Sequence, residues 1–173
     1  ALLATLHPAA AAGLDAAVGR GLLQLQGSMV SFRHELARQA VHDALPARRR
    51  LELHAALADA LAAQPPRAGL LARRVHHAAL AARPAEVCRL APAAADEALQ
   101  VSSRRAAVSL LTLAVDHAAA AEVPAGQRRD WLERLGRLRR SLQDVPGALQ
   151  AWQSALAMHE TAGDAAGQVR CRA

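Results

Sequence analysis

A spacing that occurs twice in this chain restricts its fold more than any other feature. It consists of a small residue, a large residue four positions later and a second small residue three positions after that. The two copies, 41 residues apart, are Ala107, Leu111 and Ala114, then Ala148, Trp152 and Ala155. Offsets of four and three put all three side chains on one face of a helix. Small residues let helices approach closely and a large one fills the groove between them, so the spacing predicts stacked helical hairpins.

The apolar residues indicate helices along nearly the whole chain. They make up 53% of the 173 residues and are mostly Ala and Leu, whereas aromatic residues, which favour strands, amount to 2%. We predict an all-α fold with a continuous core. Helices are expected at about 67–82, 85–101, 104–121, 127–142 and 146–161. The breaks between them are short, which predicts that consecutive helices are antiparallel neighbours. Gly163 and Asp164 are expected to begin a further unit.

One β signal lies near the start of the chain. Leu22–Gln26 and Met29–Phe32 flank Gly27 and Ser28, which is a two-residue turn between short strands and hence a hairpin signature. The preceding stretch, 8–18, is expected to be a short helix. A helix followed by a hairpin corresponds to the closing half of a winged-helix unit.

Residues 129–162 resemble a tetratricopeptide repeat. The resemblance is carried by Leu135, Gly136, Asp144, Ala148, Trp152, Ala155 and Leu156. Three positions depart from the repeat, because Trp131 lies one place before the usual large residue, Arg139 replaces a common aromatic and Glu160 replaces the closing Pro. The resemblance implies antiparallel helix pairs stacked as a right-handed superhelix.

In tetratricopeptide arrays the first helix of each pair lines a concave groove, which implies a set of candidate ligand contacts here. These are Asp130, Glu133, Arg137, Arg140 and Ser141. Arg137 and Arg140 lie three residues apart on one helix face and could grip a carboxylate or an acidic peptide. The alternative is an ordinary solvated face.

A longer pattern connects the hairpin to the helices that follow. It consists of Phe32, His34, Leu36, Arg38, Ala40 and Val41, then Leu45, Arg50, His54, Leu57 and Leu61. The pattern resembles the segment that follows the ATPase and winged-helix portion in large ATP-binding regulators of the LuxR type, and in related signal-transduction ATPases with numerous domains. Helical repeats of tetratricopeptide type come next in those proteins. The same order here implies a partial winged helix at 1–33, linking helices at 34–82 and tetratricopeptide-like repeats at 83–173.

This second resemblance implies a function without catalysis in these residues. The chain would be a helical arm and sensor that relays effector or partner binding to the nucleotide switch of a cytoplasmic bacterial transcription regulator. Its expected partners are the regulator's own ATPase domain, a protein or small-molecule effector and a second copy of the chain, while another domain would bind DNA. No cofactor is expected here, because a GxxxxGK[ST] phosphate loop requires a lysine and the sequence has none. ATP is expected in the ATPase domain.

Two other functions stay open on the sequence. One is a stand-alone scaffold of tetratricopeptide type for protein interactions. The other is direct nucleic-acid binding through a winged helix. The net charge of +6 favours nucleic-acid binding, but the arginines are dispersed among acids and no recognition helix adjoins the hairpin.

The remaining reactive residues are predicted to be structural. His34 and His54 belong to a pattern of core leucines and are expected to be buried and hydrogen-bonded, and Cys88 is expected to pack in the core. The adjacent His76 and His77 point to different sides of a helix, which does not suit a metal site. No nucleophile and base, and no pair of carboxylates, has a suitable spacing. We therefore predict no catalytic or metal-binding residue.

The run Arg48, Arg49 and Arg50 begins a predicted helix, where positive charge opposes the helix dipole. Either a nearby acid such as Asp43 or Glu52 compensates this charge, or the run contacts an ATPase domain.

The cysteines and the apolar runs bear on where the protein is found. Two cysteines far apart in sequence indicate a reducing, cytoplasmic setting, and no apolar run is long enough to cross a membrane. The first residues lack an initiator Met and the basic stretch of a signal peptide, so we expect an internal part of a larger protein.

Overall fold

The computed structural model describes residues 10–27 and 29–172, and within them it confirms the predicted mostly helical fold. The chain divides into two compact units between Gln64 and Pro65. The predicted linking segment, 34–82, runs across this division. The domain limits proposed from the resemblance stay predictions.

The first unit contains a helix, a hairpin and two further helices. They are α1 (Ala10–Gly19), β1 (Leu23–Gln26), β2 (Met29–Phe32), α2 (Glu35–Ala44) and α3 (Ala47–Ala62). The strands are antiparallel, with Leu23 opposite Phe32, which confirms the predicted hairpin. Gly27 in its turn has a φ of 60°, a conformation that favours glycine. Pro8, in the stretch predicted to form the first helix, lies outside the described residues.

Few side chains of the first unit are buried. Among its described residues the buried apolar ones are Ala58 and Leu61 of α3. Leu36 is 79% exposed and His34 is exposed as well, so the expectation that His34 is buried among core leucines is wrong. No residue of α2 is buried within the described part of the chain, so the apolar face that the pattern predicted for this helix stays a prediction. His54 is half-buried and has an interaction partner.

The arginines at the start of α3 are compensated within the first unit. Arg48 Nε lies 3.0 Å and Arg49 Nη1 lies 3.3 Å from the carboxylate of Glu52, which confirms the predicted pairing with that acid. Arg50 turns to the end of α2, where its Nη1 donates to the carbonyl of Leu45 at 3.2 Å. Arg50 therefore satisfies a carbonyl that the end of α2 leaves unpaired.

The second unit is built of helices joined by short turns. Its described elements are α4 (Leu70–Leu80), α5 (Pro84–Gln100), α6 (Arg104–His117), α7 (Ala125–Ser141), α8 (Val145–Thr161) and α9 (Ala165–Arg172). Consecutive helices pack against each other, most extensively α5 with α6 and α7 with α8. The repeated spacing lies on α6 and α8, the second helices of these two pairs. Helix α9 follows Gly163 and Asp164, while the further unit expected to begin there and the handedness of the predicted superhelix stay predictions.

The turns that follow α4 to α8 all close in the same way, although the turn after α6 begins at Ala118 and is longer than the others. A residue with left-handed backbone follows each helix, and the next amide donates to the carbonyl five positions earlier, as in a Schellman motif. The left-handed residues are Ala82, Ser102, Glu122, Gln143 and Gly163, with φ between 52° and 67°. They recur every 20 or 21 residues, so each helix with its turn is half of the 41-residue repeat.

The core of the second unit is made by α4 to α8. Val75, Val87 and Leu111 are fully buried in it. Cys88 belongs to the same core, with its Sγ 3.5 Å from the carbonyl oxygen of Ala114. Burial raises the pKa of the Cys88 thiol, which disfavours the thiolate that a nucleophile needs. The predicted burial of Cys88 in the core is confirmed.

Candidate functional site

A buried histidine ties three segments of the second unit together. His159, at the end of α8, is 2% exposed, and Glu133 on α7 is 8% exposed. The imidazole Nε2 lies 2.9 Å from Glu133 Oε1, and Nδ1 lies 2.8 Å from Oδ2 of Asp164 in the turn before α9. Through these two contacts His159 joins α7, α8 and the start of α9.

Hydrogen bonds and neighbouring positive charge stabilise the ionised forms of Glu133 and Asp164. An ionised carboxylate only accepts hydrogen bonds, so each ring nitrogen of His159 donates to the carboxylate beside it when that nitrogen carries a proton. Burial alone would raise the pKa of Glu133, but hydrogen bonds and positive charge from His159 and Arg170 hold that pKa below its ordinary value. The pKa of Asp164 is lowered first by the backbone amide of Gly167 and then by His159. Both carboxylates are therefore ionised at neutral pH.

The turn before α9 sets the position of His159. Asp164 caps α9, because its Oδ1 accepts a hydrogen bond from the amide of Gly167 at 3.0 Å. The same Asp-x-x-Gly sequence spans the start of α8, where Oδ1 of Asp144 accepts a hydrogen bond from the amide of Gly147 at 3.0 Å. Gly167 also leaves room for the imidazole, since a Cβ at this position would overlap the ring of His159.

A small surface groove lies beside the buried histidine and has a volume of about 190 Å³. We call it the arginine groove, and its lining residues are Glu133, Arg137, Arg140, Trp152, Arg170 and Cys171. Three arginines and one glutamate thus line the groove. Helices α7, α8 and α9 all contribute to its walls.

The arginines of the groove are held by its other residues. Arg137 Nη1 lies 3.5 Å from Glu133 Oε2, and Arg170 Nη2 lies 3.4 Å from Glu133 Oε1. The guanidinium carbon of Arg140 is 5.8 Å from the ring centroid of Trp152, a cation–π contact. Glu133 uses its acceptors on His159 and two arginines, and an arginine has five N–H donors. Donors therefore remain for an anion from outside.

The structure brings together three of the five candidate contacts from the sequence. Glu133, Arg137 and Arg140 line the groove, whereas Asp130 and Ser141 do not. The hydroxyl of Ser141 donates to the carbonyl of Leu138 at 2.7 Å. Glu133 is not an open contact either, because it is buried against His159 and orients the arginines.

Sequence reasoning missed His159 and Arg170, which complete the site. The signal that could have found them is the repeat of Asp-x-x-Gly at Asp164, which places α9 in the same relation to α8 as α8 has to α7. Arg170 then lies about one and a half helical turns after the capping Asp164, and its side chain contacts Glu133 of α7.

Glu133, His159 and Cys171 offer ligand atoms within 4.8 Å of one another, which raises the question of a metal ion. The chemistry of their surroundings favours an anion instead. The guanidinium groups of Arg137 and Arg170 already contact the Glu133 carboxylate and would repel a cation. Burial is the main cause that raises the pKa of the Cys171 thiol, so it is protonated at neutral pH and a poor ligand.

No protein-family model, no curated protein and no solved structure matches this chain. By its own structure, the chain is a protein of packed helical hairpins with a basic groove formed by α7, α8 and α9. Within the described residues, no helix combines the length and the apolar character needed to cross a membrane.

Proposed function

We propose that the chain is a non-enzymatic helical interaction arm that binds an acidic segment of a partner protein in the arginine groove. The observation that carries the proposal is the convergence of Arg137, Arg140 and Arg170 on one small groove whose single carboxylate is already satisfied by His159. Guanidinium groups bind carboxylates in a planar, bidentate geometry that gives both affinity and orientation. The volume of about 190 Å³ suits one acidic side chain rather than a larger ligand.

Preorganisation supports this use of the groove. Ordering a free arginine side chain upon binding costs about 0.5–1.5 kcal/mol. Here Glu133 holds two of the arginines and Trp152 holds the third, so part of that cost is met during folding. A carboxylate entering the groove then meets donors that are already in position.

Binding would also act on the docking of α9. Arg137 and Arg140 belong to α7, whereas Arg170 belongs to α9, so a carboxylate that contacts both helices favours the docked position of α9. A ligand shifts a conformational equilibrium by its difference in affinity for the two states. The groove thereby couples partner binding to the order of the last described helix.

The wider setting that we propose is an ATP-dependent bacterial transcription regulator of the LuxR type, in the cytoplasm. The pattern from Phe32 to Leu61 and the order of hairpin, linking helices and helical pairs support it. In this setting the arm relays partner binding to the nucleotide switch of the regulator's own ATPase domain. A stand-alone interaction scaffold is the alternative, and the helical pairs alone support it equally.

Titration with a fluorescein-labelled hexaglutamate peptide tests the binding function. Anisotropy should report saturable binding that weakens as salt is raised, and a hexaglutamine peptide should not bind. Arg140→Gln and Arg170→Gln should each weaken binding about tenfold, since hydrogen bonds between charged groups contribute about 1.5–3 kcal/mol. Arg73→Gln is the matched control, because Arg73 is an exposed arginine of α4 outside the groove. If Arg73→Gln weakens binding as much, the peptide responds only to net charge and the groove is not the site.

The proposal that the chain belongs to a LuxR-type regulator is tested separately, by reading the complete open reading frame. A GxxxxGK[ST] motif before this chain and a helix-turn-helix after it are expected for the regulator. If both are missing, the scaffold is the correct alternative, whatever the peptide titration shows.

A further inference from the structure

We propose that the second unit holds a binding site for a small aliphatic ammonium ion in the cavity where α4, α5 and α6 meet, with Glu97 as the residue that pairs with the cation. This site is distant in sequence from the arginine groove and does not depend on the function proposed for it.

The cavity has the size and lining of a small-molecule site. Its volume is about 380 Å³, and ligand pockets have volumes of roughly 300–1,000 Å³ with mostly apolar walls and a few polar groups. The walls are mainly methyl groups and short alkyl side chains, including those of Ala68, Ala72, Ala94, Ala98, Ala106 and Leu110. Alanines supply little bulk, so space remains between the helices that larger side chains would fill.

Glu97 is the one acidic residue in that lining. Its Oε2 is buried and has no hydrogen-bond partner among the described residues. A charged oxygen withdrawn from water without a partner is strongly destabilising, and buried polar atoms in native proteins nearly always have a partner. Glu97 lines the cavity while its Oε2 is shielded from it, so a cation in the cavity would supply the missing donor once the carboxylate group turns toward the ligand.

The other acids of α5 show that Glu97 is a special case. Glu86 Oε1 lies 3.0 Å from Arg74 Nη2, and Asp96 pairs with Arg134 of α7. Arginines thus satisfy the acids on either side of α5, in a chain that is rich in them. Glu97 instead lines the cavity of alanines, and its Oε2 has no hydrogen-bond partner among the described residues.

The remaining lining residues narrow the class of ligand. A metal ion requires several carboxylate or imidazole ligands, and the cavity offers one carboxylate. An ammonium group has three donors, and the side chains of Gln100 and Ser103 in the same lining are further acceptors. An alkyl chain matches the apolar walls. The geometry therefore favours a primary amine with a short aliphatic body.

Titration of the whole ¹⁵N-labelled chain with n-hexylamine, which is protonated at pH 7, tests the proposal. Amides of Ala72, Ala98 and Ala106 should shift and saturate together. The neutral 1-hexanol has the same chain without the charge and should bind at least about tenfold more weakly, since a hydrogen bond to a charged group is worth about that factor or more. Equal binding of the two ligands, or no saturable shift of these amides by n-hexylamine, would overturn the proposal.

Glu97→Gln keeps the shape of the side chain and removes its charge. We expect this variant to lose about tenfold in affinity for n-hexylamine while its melting temperature is unchanged or raised, because a buried neutral amide is less costly than an unpaired carboxylate. Glu122→Gln, at an exposed glutamate of the α6–α7 turn, is the matched control and should bind like the original chain. If Glu97→Gln binds n-hexylamine as tightly as the control, Glu97 is not the cation partner and the proposal is wrong. The arginine groove can fail its own test without affecting this result.

Discussion

The indole of Trp152 lies directly against Gly136 of the facing helix, so close that a Cβ at position 136 would overlap Nε1 and its neighbouring carbons. Gly136 is in the middle of α7 and Trp152 is in the middle of α8. These two helices form one of the two most extensively packed pairs, and the other pair is α5 and α6. The absence of a side chain at 136 is what allows the large residue of the repeated spacing to fill the groove between these helices.

Gly136→Ala should destabilise the chain although alanine is the better helix former. The added methyl group must displace the indole, and overpacking of this kind costs about 1–3 kcal/mol. Urea unfolding followed by circular dichroism measures the change. Gly126→Ala is the matched control in the same helix, because a Cβ there meets only Arg129 Nη2 at 3.6 Å. That variant should gain up to about 1 kcal/mol from helix propensity, and a loss of equal size in both variants would contradict the packing argument.

The second prediction concerns the left-handed residues between helices. Exchanging alanine and glycine at two equivalent positions should change the stability of the chain in opposite directions. Ala82 and Gly163 both follow a helix with positive φ, at 53° and 67°. An L-residue in this conformation costs about 1–2 kcal/mol, while glycine loses about 0.5–1 kcal/mol more entropy on folding. Ala82→Gly should therefore stabilise the chain by about 0.5–1 kcal/mol and Gly163→Ala should destabilise it by a similar amount. Both are read from the urea midpoint, and a loss in Ala82→Gly would show that the turn does not adopt this conformation.

The contacts of His159 predict how stability depends on pH. The folded-state pKa values of Glu133 and Asp164 are lowered, so their stabilisation is complete above the ordinary carboxyl pKa of about 4 and is lost as the pH falls through the lowered values. In His159→Gln this contribution is reduced. The difference in melting temperature between the two proteins should have its full size at pH 6–7, well above the ordinary carboxyl pKa of about 4, and shrink below about pH 4. A difference that stays constant from pH 7 to pH 3 would show that the carboxylates are not coupled to the ring. Arg137, Arg170 and Cys171 also lie near Glu133 and are retained in both proteins.

The helices and the hairpin were predictable because local signals specify them. The spacing of Ala107, Leu111 and Ala114 identified the buried face of α6 correctly, and Gly27 identified the turn of the hairpin. Burial in the first unit was less predictable, since the pattern around His34 and Leu36 shows which face is apolar and not whether another element covers it.

Half of the candidate site was beyond the reach of local patterns. Arg137 and Arg140 follow from their positions on one helix, but Arg170 reaches Glu133 only because α9 folds back onto α8. The breaks between the helices were predictable, but their left-handed geometry was not, because four of the five left-handed positions hold Ala, Ser, Glu and Gln instead of the glycine that marks such a turn. Glu97 could not be identified from the sequence either, because its surroundings depend on how α4, α5 and α6 pack together.

The two Asp-x-x-Gly caps allow the groove to be tested apart from general stability. A Cβ at position 167 would overlap the ring of His159, and a Cβ at position 147 would overlap the capping carboxylate of Asp144. Gly167→Ala and Gly147→Ala should therefore both destabilise the chain, by about 1–2 kcal/mol each as the cap distorts.

Only the first of these two variants should change binding in the arginine groove. Displacing His159 releases Glu133 and undocks the start of α9, so the hexaglutamate peptide should bind Gly167→Ala about tenfold more weakly. Gly147→Ala disturbs the α7–α8 turn but leaves the lining residues of the groove in place, and its affinity should equal that of the original chain at temperatures where both are folded. Equal affinities of the two variants for the peptide would mean that His159 does not position the groove, because the ring would then have moved without consequence for the arginines.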